Sequence, residues 1–203
     1  MLLVLLALVL GFVAMLVVPM LTHQNQGASR VVGTAEEWPH SVTAEGDDGR
    51  TRTLMVSAAE PGEELDTSAL RPGDRIVVSG KGFDASRGVY VAICKASEPG
   101  VKPGPCLGGI PETDGDGETQ ETGAIQFAAS TWVNDDWAWK LFGARGYDDR
   151  ETGTFTAYLE VPAPEGEGVD CRVDRCVIAT RNDHTAASDR VQDVQLPVGY
   201  ATD

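Results

Sequence analysis

The hydrophobic pattern of the chain changes three times. From Met1 to Leu21 every position is apolar except Gly11 and Pro19, and no charge occurs before Arg30. As a helix rising ~1.5 Å per residue, such a run reaches about 31 Å, the depth of a bilayer's hydrocarbon core. A cleaved signal peptide would carry a basic leader, a shorter apolar run and a small-x-small cleavage site. Here the run starts at Met1 and leads into Thr22-His23-Gln24-Asn25, and Gln26-Gly27-Ala28 is a poor cleavage site. Residues 1–22 therefore read as a signal anchor or transmembrane helix, with secretion after cleavage as the alternative. Residues 23–50 are rich in Gln, Asn, Gly and acid, as in Glu36-Glu37 and Gly46-Asp47-Asp48-Gly49, and read as an acidic flexible tether. The alternative is that Trp38 packs back on the domain as an extra arm.

From Thr51 the period becomes two, the signature of half-buried strands. Arg52–Val56, Asp74–Ser79 and Val89–Cys94 each alternate. Thr154–Val161 does so most cleanly, and Cys176–Arg181 and Val194–Tyr200 follow. Pro197 confines the last strand to an edge or bulge. Turn clusters such as Arg71-Pro72-Gly73-Asp74 and Pro164-Glu165-Gly166-Glu167-Gly168 separate the runs. Six or seven short strands with no further helix predict an all-β chain: an immunoglobulin-like antiparallel sandwich over residues 51–203.

Charge and cysteine content narrow the setting. Sixteen Lys and Arg against 31 Asp and Glu leave a net charge of -15, which repels phosphate backbones and argues against nucleic-acid binding. The four cysteines, Cys94, Cys106, Cys171 and Cys176, permit three pairings, and their spacings favour the local one, Cys94–Cys106 with Cys171–Cys176. Spacings of this kind do not suit zinc, and no histidine lies near either pair. Disulfides place the domain outside the cytoplasm, so the helix is expected to run N-in, C-out.

The stretch from Glu98 to Gly153, with an insert around 107–153, is long for a connection and gathers Trp132, Trp137, Trp139, Phe142 and Tyr147. These rings either form a satellite core beneath the loop or wall a recognition surface. Other chemistries are less well supported. Asp183-His184 with Ser188 and Asp189 invites a Ser-His-Asp reading, but sequence adjacency is not triad geometry, and a hydrogen-bonded turn explains the residues. Asp114, Asp116 and Glu118 alternate like calcium ligands, yet the twelfth position from Asp114 is Ile125, where a calcium loop needs Glu; a solvated acidic loop accounts for them. His184 and Tyr147 are of the right type for haem ligation, with nothing else to support it.

Arg71-Pro-Gly-Asp-Arg-Ile-Val-Val-Ser-Gly-Lys-Gly-Phe-Asp84, followed by Gly88-Val-Tyr-Val-Ala-Ile-Cys94, resembles the opening strands of the neocarzinostatin-like apoproteins. So does Val169-Asp-Cys171-Arg-Val-Asp-Arg-Cys176-Val-Ile-Ala179. The ending from Thr180 to Val198 is similar to a variant in secreted proteins of high-GC Gram-positive bacteria, which resembles modules placed beside haem-transport-associated domains. The likeness covers roughly Thr51 to Tyr200. It implies a seven-stranded immunoglobulin-like sandwich, two sequential disulfides, and a cleft with the disulfide matching Cys94–Cys106 near its floor, where the antibiotic members hold an enediyne chromophore.

A tethered protein is a poor carrier for a diffusible toxin. The expectation is thus a non-enzymatic, membrane-tethered, extracytoplasmic module needing no cofactor. It would bind a small apolar or aromatic ligand through Trp132, Trp137, Trp139, Phe142, Cys94 and Cys106. The alternative is a structural or protein-interaction domain of the cell envelope, of the kind associated with haem-uptake systems, in which the same rings contact an envelope protein.

Overall fold

The computed structural model describes residues 2–33, 36–108 and 125–202. The uncharged N-terminal run forms α1 (Leu2–Thr22), whose last turn is tied by the Thr22 hydroxyl donating to the Val18 carbonyl. The strands follow in order: β1 (Ser29–Val32), β2 (Ser41–Gly46), β3 (Thr51–Ala58), β4 (Arg75–Lys81), β5 (Val89–Lys95) and β6 (Ser130–Val133). A single-turn helix α2 (Trp137–Lys140) precedes β7 (Phe155–Glu160), and the short pair β8 (Glu165–Gly166) and β9 (Val169–Asp170) follows. β10 (Cys176–Asn182), a 3-10 turn at His184–Ala186 and β11 (Gln195–Val198) complete the described chain.

Alternation along each strand decides what it buries. β3 turns Arg52, Leu54 and Val56 inward, β4 Ile76 and Val78, and β7 Phe155, Ala157 and Leu159. Hydrogen bonding orders these as β1-β2-β3-β4-β7, with every neighbouring pair antiparallel. A second antiparallel sheet, β11-β10-β5-β6, presents Val89, Val91, Ile93, Ile178, Leu196 and Val198 to the same core. The chain is an all-β sandwich of two antiparallel sheets. Both disulfides, Cys94–Cys106 and Cys171–Cys176, are formed, and no cysteine is free.

Three expectations change. Residues 23–50 are not a bare tether, since they supply β1 and β2 and extend the first sheet. Val42 and Ala44 alternate with polar neighbours and are buried, and backbone pairing to β3 stabilises a segment whose composition reads as solvated. The acidic run forms the β2–β3 turn. Asp48 takes two donors from Arg52, Asp47 accepts from Arg30 and from the Ala28 amide, and Gly49 supplies the positive φ of 77°. Trp38 does pack back, its carbonyl accepting from the Thr67 hydroxyl.

The strand count rises with this addition. Nine strands make up the two sheets among the described residues, against about seven expected. The insert around 107–153 also contributes an ordered strand, β6, and the helix α2.

Most of the described apolar side chains of α1 are exposed. Among the described residues no helix is long and apolar enough to cross a membrane; the backbone helix itself runs unbroken from Leu2 to Thr22 without a charged residue. Beyond Thr22 the chain is fastened to the domain. His23 Nε2 lies 2.7 Å from Asp189 Oδ2, the Gln26 amide donates to the same oxygen, and Asn25 donates to the Ser188 carbonyl.

Candidate functional site

The four-stranded sheet has an outward face as well as a core face, and the sequence-singled residues gather on the outward one. Period two along β5 places Tyr90, Ala92 and Cys94 there, opposite the core residues Val89, Val91 and Ile93. Strand register then fixes the rows. Arg181 of β10 lies across from Tyr90, and Tyr90 from Trp132 of β6; one row on, Ala179 lies across from Ala92, and Val177 from Cys94 in the next. Ala92, Cys94, Cys106, Val177 and Ala179 form a second, smaller apolar cluster separate from the main core. Its middle is built of small side chains.

One end of this face is aromatic. The Trp132 ring lies 5.8 Å from Tyr90, 5.7 Å from Trp139 and 5.3 Å from His184, and Trp139 meets His184 edge-on at 4.6 Å. Tyr90 and His184 share a hydrogen bond of 3.1 Å between the phenol oxygen and Nδ1. Burial, reinforced by the nearby Asp183 carboxylate, pushes the Tyr90 phenol up to about 12, so it stays protonated at neutral pH.

Beneath the rings Asp183 is fully buried and accepts from Trp132 Nε1 at 2.9 Å and Asn134 Nδ2 at 2.7 Å. Its other oxygen takes the Thr185 amide and hydroxyl. A Cβ at Gly88 would collide with the Asp183 carboxylate and the Asn134 amide, so glycine is what lets β5 begin beside this acid.

The other end is cationic. The Arg181 guanidinium carbon sits 5.8 Å from the Tyr90 ring centroid. Nearby, Arg190 forms a buried ion pair of 2.9 Å with Asp193, whose carboxyl burial pushes up to about 6 against the pull of Arg190.

The rings expected to act together divide into two groups. Trp132 and Trp139 join Tyr90 and His184, and Phe142 stacks on Trp139 at 6.2 Å. Trp137 turns away, with its ring 6.5 Å from Phe12 of α1. It is 56% exposed, and Leu141 and Phe142 just after α2 are 74% and 57% exposed. The Cys94–Cys106 disulfide is buried under the same sheet face, at the end away from the rings.

The Asp183-to-Asp189 run does not assemble a triad: Asp183 is taken up by Trp132, Asn134 and Thr185, and Asp189 by His23 and backbone amides. Tyr147 is buried in the main core and donates to the Arg87 carbonyl. Asp114, Asp116 and Glu118 lie outside the described residues. Among the described residues no group of three His, Cys, Asp or Glu is placed to hold a metal ion.

Sequence reasoning missed Tyr90, His184 as a ring partner, Arg181 and the Asp183 hub. For Tyr90 and Arg181 a signal existed in the alternation of β5 and β10. The Thr185 bonds of Asp183 are the turn that the sequence suggested, but for its Trp132 and Asn134 donors there was no signal, because they lie about fifty residues away in sequence. No family model, no curated protein and no solved structure matches the chain.

Proposed function

We propose that the protein is a non-enzymatic, extracytoplasmic binding module that holds a small apolar or aromatic molecule on the outward face of the four-stranded sheet. In this reading its sandwich is of the immunoglobulin-like, neocarzinostatin type. The observation that carries it is a floor of small side chains over Cys94–Cys106 with Tyr90, Trp132 and Trp139 along one edge. The half-buried rings supply contact area at low entropic cost beside this cluster, whose own side chains are buried. Two disulfides in a chain without free cysteine support an oxidising compartment. The uncharged α1 supports attachment to the membrane with the domain outside, and the strip of Trp137, Leu141 and Phe142 beside it would meet the lipid surface.

A calorimetric titration of the full chain in neutral detergent with 2-naphthalenemethanol tests this reading. Saturable binding is expected, with Trp139→Ala weakening it about tenfold while the melting temperature stays within a few degrees. Unsaturable partitioning, equal in the two proteins, would contradict it.

A second reading has its own observation. Trp137, Leu141 and Phe142, all exposed and within six residues of one another, are apolar side chains of the kind that receive a protein partner in the envelope. Trp137→Ala separates the two, since it should leave naphthalenemethanol binding unchanged and abolish association with a partner.

A further inference from the structure

We infer that α1 lies in the plane of the membrane as a one-sided anchor instead of crossing it, and that Trp137, Leu141 and Phe142 widen the surface it presents to lipid. This rests on the membrane attachment in the reading above. The domain holds the helix at two places. His23, just past its end, is bonded to Asp189 at 2.7 Å, and the Phe12 ring lies 6.5 Å from Trp137 of α2. Eleven residues separate the two, about 16 Å of helix. α1 also meets the 3-10 turn at His184–Ala186. Its second half is thus laid along the domain, not stood upon it.

The Phe12 contact decides the orientation. If α1 crossed a hydrocarbon core of ~30 Å, Phe12 would sit near the midplane and would carry Trp137 there with it. The polar groups that build α2 would follow. Asp136 caps the helix by accepting the Ala138 amide, and Asp135 pairs with Lys140 at 2.9 Å. Charged groups in hydrocarbon are costly. Laid flat, the helix keeps both of its contacts to the domain and leaves those charges on the water side.

Lipid is the occupant that fits the remaining side. A helix lying on a membrane ordinarily turns a polar side to water; α1 has none, and along its second half the domain takes that place. Val17 is 39% exposed and Met20 half-buried, against 79% for Leu2 and Leu3. Leu3, Leu10 and Leu21 are seven and eleven residues apart, so they share the side of the helix roughly opposite Phe12, and all three are exposed. Beside Phe12 stands Trp137, a ring of the type that favours the headgroup level, with Leu141 and Phe142 just after it. A net charge of -15 gives the chain no general attraction to anionic headgroups, so apolar contact carries the docking and a zwitterionic bilayer suffices.

Label depth tests this. Leu3→Cys, Leu10→Cys, Leu21→Cys and Leu141→Cys each supply the only free thiol, since the native cysteines are paired. All four side chains are exposed, so a label there leaves the core packing alone. Each full chain is nitroxide-labelled and mixed with phosphatidylcholine vesicles. Collision rates of the label with oxygen and with a water-soluble nickel chelate give its depth. The three α1 labels should lie at one depth, about 5–10 Å into the boundary between headgroups and acyl chains, with the Leu141 label in lipid as well. A profile deepest at Leu10, or one that deepens steadily from Leu21 to Leu3, would overturn the inference and leave the attachment reading standing. So would a Leu141 label in water. Chains that stay off the vesicles, with every label in water, would overturn both.

Discussion

The two oxygens of Asp183 take four donors, from Trp132, Asn134 and Thr185, in a fully buried position. Asp183→Ala would strand an indole N–H and an amide without partners. A loss of about 3 kcal/mol or more in chemical denaturation is expected, together with loosened Trp132 packing. Asp193 behaves differently. Its carboxyl is pushed up from 3.8 to about 6, chiefly by burial, so the folded state binds a proton more readily than the unfolded chain. Between pH 4 and 6 that group makes stability fall as pH rises, by an amount on the order of 3 kcal/mol, with no further change above that window. Asp193→Asn should therefore show unfolding free energies that rise more steeply, or fall less, from pH 4 to 6 than those of the wild type. Identical slopes would show that the group titrates normally. The sequence showed Asp183 only as a turn residue, which it is, and gave no sign of its burial or of Asp193's, because distant segments cover both.

At the scale of elements, strong alternation was legible and weak alternation was not. β3, β4, β5, β7, β10 and β11 all lie where period two placed them, since each turns a run of branched or aromatic side chains toward one core. β1 and β2 were hidden by composition. β2 buries only Val42 and Ala44, and much of its attachment is backbone pairing and the ionic turn that follows. That turn depends on Arg52, buried beneath the hairpin and paired at 3.0 and 2.5 Å with Asp48. Asp48→Ala leaves the guanidinium buried and uncompensated, and should cost about 3–5 kcal/mol in thermal or denaturant unfolding. Adding Arg52→Met should recover most of the loss. A double variant no better than the single one would show that the pair itself, and not the stranded charge, holds the hairpin. The aromatic segment divided for a related reason. Trp132 lies on a strand and Trp139 on the inner side of a one-turn helix, whereas Trp137 sits on its outer side; an irregular loop offers no period from which to read that.

On the scale of the whole molecule, the proposed function gives α1 and the sheet face separate tasks. The helix is apolar and exposed, and it is fastened to the domain through His23 and Asp189 at 2.7 Å, so the domain should follow α1 closely rather than hang from a long linker. Full-length protein should sediment with membranes and resist carbonate extraction, while a chain beginning at His23 should stay soluble. Soluble full-length protein would remove the anchor. The cysteines and the cluster of tryptophans were legible in the sequence, while their grouping with Tyr90 and His184 on one sheet face needed the fold. Binding at that face is read most directly by an amide NMR titration of the full chain in neutral micelles with 2-naphthalenemethanol. Saturable shifts are expected, centred on Tyr90, Ala92, Cys94, Ala179 and the Trp132 and Trp139 indoles. Shifts confined to α1, Trp137 and Leu141, or spread without a centre, would contradict it.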